Sequence, residues 1–145
     1  ANAWQEVIVL VGSPGSGKSR LCRRVFADYV RVNRDTLKTA AKCLKLCASS
    51  LAAGSSVIVD NQCRSMADRE PYIAAANAAG VRCRAVRIDV PKEVCFHLNW
   101  YRASNPQNEE HRGPERVPPV VIHSFYKNVE EPTTAEGFDG GVSIG

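Results

Sequence analysis

The sequence predicts an α/β fold built on a parallel sheet of about four or five strands flanked by helices. Three observations carry that prediction. Short Val- and Ile-rich runs alternate with longer stretches of helical periodicity, the pattern of βαβ units. The first apolar run, Glu6–Val11, opens onto the glycine-rich turn Gly12–Gly17 and then onto a helix-forming stretch. The 145 residues, 44% hydrophobic and 23% charged, suit one domain around one core.

The elements follow in order. Glu6–Val11 reads as a buried strand, Ser19–Asp28 as the first helix and Tyr29–Val32 as a short second strand. Thr36–Ala53 reads as one long helix, with Leu37, Ala41, Leu44, Ala48 and Leu51 as its apolar face. Lys38, Lys42 and Lys45 fall on another face of that helix, and Gly54 is its stop. Ser56–Asp60 is the third strand. Ser65 caps a helix running to Ala79, closed by Gly80, and Val81–Asp89 is the fourth strand. Pro91 opens a helix to about Ala103. Ser104–Arg116 is polar without an apolar face, the composition of a mobile loop. A helix starting at Pro118 or Pro119 reaches about Asn128, so that residues 92–128 form a helical lid. The tail beyond Glu130 has room for a short last strand.

Composition narrows the function. No apolar run approaches the roughly 18 residues needed to span a bilayer. Ala1–Glu6 shows no signal peptide, and no membrane role is expected. Cys22, Cys43, Cys47, Cys63, Cys83 and Cys95 contain no CxxC pair and read as reduced, mostly buried thiols of an intracellular protein. His97, His111 and His123 are not at zinc-ligand spacing from them. The net charge of +4 is unevenly spread. Lys18, Arg20, Arg23, Arg24, Arg31, Arg34, Lys38, Lys42 and Lys45 crowd into one segment opposed only by Asp28 and Asp35, which suits nucleotide phosphates and a nucleic-acid backbone.

Gly12-Ser13-Pro14-Gly15-Ser16-Gly17-Lys18-Ser19 fits G-x-x-x-x-G-K-S/T between a strand and a helix, the context that motif requires. Its glycines let successive N–H groups point inward as an anion nest, and the next helix adds its positive end. Lys18 is the ligand for β- and γ-phosphates and Ser19 the hydroxyl for Mg²⁺, so the expected cofactors are ATP and magnesium and the fold is of the P-loop NTPase type. Asp60, at the carboxyl end of the third strand, lies at the ligand edge of such a sheet and suits the magnesium shell; its alternative role is to bond a loop amide. Asn33-Arg34-Asp35 follows the second strand to the same edge. Asp35 is placed to take the acceptor's proton, yet on spacing alone it reads equally as a helix cap or as a salt-bridge partner of Arg34 and Lys38. Arg102, ending Asn99-Trp100-Tyr101-Arg102 ahead of the polar loop, is the candidate lid arginine, with Arg112 and Arg116 as rivals.

Gly12–Ser19, Val32-Asn33-Arg34-Asp35-Thr36-Leu37, Val57–Asn61 and Glu131-Pro132-Thr133-Thr134-Ala135-Glu136-Gly137-Phe138 together resemble the kinase domain of polynucleotide kinase 3′-phosphatase, over nearly the whole chain. Bacteriophage polynucleotide kinase is similar as well, aligning through Val90–Arg102 without a gap. The Walker motif is common to P-loop kinases; the Asn-Arg-Asp motif combined with the Pro-Thr-x-Ala-Glu-Gly-Phe tail is specific. The resemblance implies an ATP-dependent 5′-hydroxyl polynucleotide kinase, acting on DNA ahead of RNA, in nuclear strand-break repair. It implies Asp35 as general base, Lys18 and Ser19 on phosphate and magnesium, and Arg102 stabilising the transition state. Gly12 through Ser19, with Arg20, then hold the nucleotide, and Asn33, Arg34, Asp35, Lys38 and Asn61 face the acceptor. It further implies one monomeric kinase domain over residues 1–145, belonging to a longer protein whose phosphatase domain lies elsewhere, since no DxDxT motif occurs here.

The sequence departs from that family at four places. Arg20 stands where the family has Thr, Leu98 where the phage enzyme has a lid arginine, Trp100 where animal enzymes have one, and Gln62-Cys63 where the family has Thr-Asn. These put the α-phosphate contact, the lid electrostatics and local acceptor contacts in doubt. Two rivals therefore stay open: a small-molecule P-loop kinase, and a nucleotide-binding module that does not catalyse.

Overall fold

The computed structural model describes residues 4–13, 16–97 and 118–144, with the backbone only at Ser19. Its core is a five-stranded sheet in the order β2-β3-β1-β4-β5, parallel at each pairing. The strands are β1 (Glu6–Val11), β2 (Val30–Val32), β3 (Val57–Val59), β4 (Arg82–Arg87) and β5 (Val142–Ile144). The strand expectation is met at five, and β1 has the predicted bounds. All residues of β3, and Val7–Val11 of β1, are fully shielded from solvent, as central parallel strands covered on both faces must be.

Alternation along the strands splits the core in two. Val7, Val9, Val11, Val57 and Val59 pack on one side with Cys43, Cys47, Tyr72, Ile73 and Phe125. Ile8, Leu10 and Ile58 pack on the other with Cys22, Val86 and Ile88. The first face is covered by α3 (Ala40–Ala52), α4 (Met66–Ala79) and α6 (Pro119–Asn128), the second by α1 (Lys18–Arg24).

Three local expectations are corrected. The first helix ends at Arg24 rather than Asp28, because Phe26 leaves the helix to meet Tyr29, the rings 5.2 Å apart, and the Tyr29 N–H closes a turn onto the Phe26 carbonyl. The stretch Thr36–Ala53 is two helices, α2 (Arg34–Leu37) and α3, broken at Lys38 with φ 77°, after which the Thr39 hydroxyl caps α3 by accepting from the Lys42 N–H at 3.2 Å. The break resets the helical phase. Ala41 and Ala48 are consequently exposed, the buried face is Cys43, Cys47, Ser50 and Leu51, and Lys38 shares no helix with Lys42 and Lys45. Cysteine acts here as a small core hydrophobe, a role the apolar count passed over.

Helix α4 runs as expected from its Ser65 cap to Gly80, whose φ of 68° ends it. Residues 92–97 are helical (α5), and α6 starts at Pro119. The middle of the expected lid, with Leu98, Trp100, Arg102, Arg112 and Arg116, lies outside the described residues. All six cysteines are free and buried. Among the described residues no helix is long and apolar enough to cross a membrane.

The tail is a structural lock. Thr133 and Glu136 form a reciprocal capping box around the turn Thr134–Glu136. Arg69 of α4 donates to Glu136 from Nε at 2.8 Å and from Nη2 at 3.1 Å, and Arg69 is fully buried. Phe138 fills the core beside Ile73 across Gly137, where a Cβ would stand 2.9 Å from the Ile73 side chain at a φ of 116°.

Candidate active site

The carboxyl ends of β2, β3 and β1 lie side by side, which is where a parallel sheet presents ligands. Strands β1 and β2 both flank β3, so their ends stand about 10 Å apart. Three loops leave this edge: the phosphate-binding turn from β1, the Asn33–Asp35 turn from β2, and Asp60–Arg64 from β3.

The first loop is built close. Gly12 sits where an added Cβ would lie 3.0 Å from both Ile88 Cβ and Ser16 Oγ and 3.2 Å from Lys18 Cδ, so only glycine keeps the loop's path. Ser13 is buried, and its carbonyl accepts from both the Ser16 N–H and the Lys18 Nζ, at 3.1 Å and 3.0 Å. Gly17 takes φ 90° to start α1 without a side-chain cap. Ser16 Oγ is buried without a hydrogen-bond partner among the described residues. A cradle holding a buried ammonium and an unsatisfied buried hydroxyl fits an oxyanion. Pro14, Gly15 and the Ser19 side chain lie outside what is described, and Arg20 is exposed on α1.

Lys18 is 9% exposed. Burial pulls its pKa below the ordinary lysine value, and the Asp60 carboxylate pulls the other way. Asp60 is itself 2% exposed, and its carboxylate is held by Arg31, whose Nε and Nη2 reach Oδ2 at 2.7 Å and 2.6 Å. Arg31 is the partner of Asp60 to which motif reading gave no place in the site. The available signal was a cation in a strand between Val30 and Val32, on the residue two before the Asn-Arg-Asp turn. Among the described residues no cluster of three or more His, Cys, Asp or Glu side chains could cage a metal. One buried carboxylate suits instead a magnesium ion held mostly by phosphate oxygens and water.

The β2 turn is fastened to β3 through side chains. Asn33 caps α2 by accepting from the Thr36 N–H at 3.1 Å, and its Nδ2 donates to the Asp60 carbonyl at 2.7 Å. Asn61 Oδ1 accepts from the Arg34 N–H at 2.8 Å. Asn33 and Asn61, expected to face an acceptor, thus spend these groups on holding the turn. Asp35 itself is exposed in the first turn of α2. The cap positions belong to Asn33 and Thr39, and among the described residues no salt bridge joins Asp35 to Arg34 or Lys38. Arg34 and Lys38 are also exposed. At the Gln62-Cys63 departure the Gln62 carbonyl accepts from the Gly12 N–H at 3.3 Å and the Cys63 carbonyl from Arg69 Nη1 at 2.8 Å.

Comparison with known proteins agrees with the resemblance seen in the sequence. The family model described as AAA domain matches residues 38–132. The bifunctional polynucleotide phosphatase/kinase of Schizosaccharomyces pombe is 34% identical over 136 residues, covering 92% of this chain and 32% of that protein. A putative bifunctional polynucleotide phosphatase/kinase of Acanthamoeba polyphaga mimivirus is 32% identical over 138 residues, covering 93% of this chain and 32% of that protein. The chain thus spans about a third of the length of the curated relatives it matches. Among solved structures, Chaetomium thermophilum Kti12 in complex with ADP-AlF3 superposes with a TM-score of 0.65 at 18% identity, over 95% of this chain and 87% of that one. That likeness bears on the fold.

Proposed function

This chain belongs to the AAA domain family, and from that premise we propose that it is a P-loop phosphotransferase which moves the γ-phosphate of ATP to the 5′-hydroxyl of a polynucleotide, DNA ahead of RNA. The observation that carries the reading is the exposed Asp35 carboxylate on the turn after β2, bonded to the Asp60 end of β3, which itself adjoins β1 and the buried Lys18 cradle. The names of the two polynucleotide phosphatase/kinase relatives support the acceptor class.

In this reading the chain's residues divide the work. Gly12 through Ser19 grip the triphosphate by backbone amides, and Lys18 exchanges its bond to the Ser13 carbonyl for phosphate oxygens. Bound Mg²⁺, held through Ser19 and Asp60, supplies charge neutralisation on the phosphates. Asp35 accepts the proton of the attacking 5′-hydroxyl. The β1 and β2 ends lie about 10 Å apart with β3 between them, so the cradle and the Asp35 turn open on the same edge of the sheet, where a phosphoryl donor and a sugar hydroxyl can be brought together. Arg34 and Lys38, exposed beside Asp35, offer charge to the nucleic-acid backbone. Arg102 is assigned to the transition-state charge on the sequence resemblance. By the same resemblance the domain works in nuclear DNA strand-break repair, within a longer protein that also carries a phosphatase domain.

The test is transfer of labelled phosphate from ATP to 5′-hydroxyl oligodeoxynucleotides, to oligoribonucleotides and to a panel of small hydroxylated metabolites. Labelled oligonucleotide is expected, and Lys18→Ala should abolish it. Transfer to a metabolite alone would make this a small-molecule kinase; nucleotide binding with no transfer to anything would make it a silent binding module.

A further inference from the structure

We propose that Arg31 is a positioning residue for Asp60, a standing counter-ion that makes entry of a divalent cation conditional on the nucleotide. The proposal deepens the reading above and rests on it, since Asp60 matters here as part of the magnesium shell.

Arg31 is the middle residue of β2, in register with Ile58 of β3, two residues before Asp60. From there its guanidinium reaches Asp60 Oδ2 with two nitrogens, at 2.7 Å and 2.6 Å. The partners differ in exposure: the Asp60 side chain is 1% exposed and that of Arg31 34%. A carboxylate so deeply buried requires a cationic partner, and the Arg31 guanidinium, at the border of solvent, supplies that charge.

A second cation faces the same carboxylate. The buried Lys18 ammonium feels Asp60 as its chief stabilising charge. Lys18, Arg31 and Asp60 together carry net positive charge, and arginine keeps its charge at every working pH. Both guanidinium nitrogens bond the one oxygen Oδ2, and a bare divalent ion approaching the Asp60 carboxylate meets the repulsion of both cations. A triphosphate in the cradle reverses the local sign, engages Lys18 and brings the metal with it. Arg31 in this way separates two events that a bare strand-end aspartate would allow independently: metal binding alone, and metal binding with nucleotide.

The probe is Mn²⁺ alone, followed by electron paramagnetic resonance on the nucleotide-free protein, with a non-hydrolysable ATP analogue titrated in parallel. The wild-type protein should bind Mn²⁺ weakly until the analogue is added. Arg31→Gln should bind Mn²⁺ without nucleotide at least about tenfold more tightly, because a unit charge next to the metal's ligand has gone from a partly buried site. Arg31→Lys, which keeps the charge, should stay near wild type. Arg31→Met stands in if Arg31→Gln fails to fold, and Asp60→Asn added to either variant should erase the gain. Unchanged Mn²⁺ affinity in folded Arg31→Gln or Arg31→Met that still binds the analogue overturns this inference and leaves the proposed function standing. Equal enhancement of Mn²⁺ binding by the analogue in wild type and variant overturns it too. Failure of folded wild-type protein to bind the analogue overturns the proposed function itself.

Discussion

The Asn33 side chain joins two strand ends, its Nδ2 donating to the Asp60 carbonyl at 2.7 Å while its Oδ1 accepts from the Thr36 N–H at 3.1 Å. One amide thus starts the short helix that carries Asp35 and fixes it to the strand that carries Asp60. Asn33→Ala loses both contacts. Turnover should fall about 10- to 100-fold, as expected when a positioned group is let loose. Stability should drop by about 1 kcal/mol for the missing cap. Nucleotide affinity should hold, because Lys18 takes no support from Asn33. Steady-state kinetics beside a nucleotide titration checks this. Weakened nucleotide binding with intact turnover would contradict it.

Asp35 is exposed and caps no helix, so its removal carries little structural penalty. Asp35→Asn should leave the melting temperature and ATP affinity near wild type. It should lower turnover by about 10²–10⁴, the usual range for a missing general base. Single-turnover transfer to a 5′-hydroxyl oligonucleotide measures the effect. Wild-type turnover would show that this carboxylate takes no proton.

The division between what the sequence disclosed and what it hid follows from the range of each interaction. Strand β1, the cradle and the Ser65–Gly80 helix were legible because their signals are local: an apolar run, a glycine spacing, a cap and a stop. The break at Lys38 was not, because a lysine with φ 77° carries no compositional mark and the apolar spacing runs across it. Arg31 was missed for a related reason. Its partner lies 29 residues away, and only the parallel register of β2 with β3 brings them together. The tail motif was recognisable as a pattern, but its work, locking Glu136 onto a buried arginine of α4, appears only once the chain has folded.

That lock can be tested by breaking it one side at a time. Glu136→Gln leaves the Arg69 guanidinium charged, fully buried and without its carboxylate. The expected cost is about 3–5 kcal/mol, the penalty for an uncompensated buried charge. Arg69→Met combined with Glu136→Leu removes both charges and should be milder than Glu136→Gln alone. Urea unfolding followed by circular dichroism decides the order. If the single substitution proves the milder one, the pair is not the anchor of the tail.

The thiols give the fold a sign in alkali. Burial pushes Cys22, Cys63 and Cys83 up to about 12 and Cys47 up to about 11, from an ordinary value of 9.0. For Cys22 the neighbouring Asp60 adds to the rise, against Arg31 and Lys18. A thiol whose folded pKa is raised binds its proton more tightly in the folded than in the unfolded chain. Its contribution is therefore complete below pH 9, and it fades as pH climbs from 9 towards 12. The melting temperature should be flat between pH 7 and about pH 8 and fall steeply by about pH 10. The native protein should meanwhile resist thiol reagents at about pH 8, because the reactive thiolate is scarce and shielded. All six cysteines should titrate once the chain is unfolded in guanidinium. A fast-reacting thiol in the native protein, or a melting temperature indifferent to alkali, would mean that these side chains are not packed in the core as described.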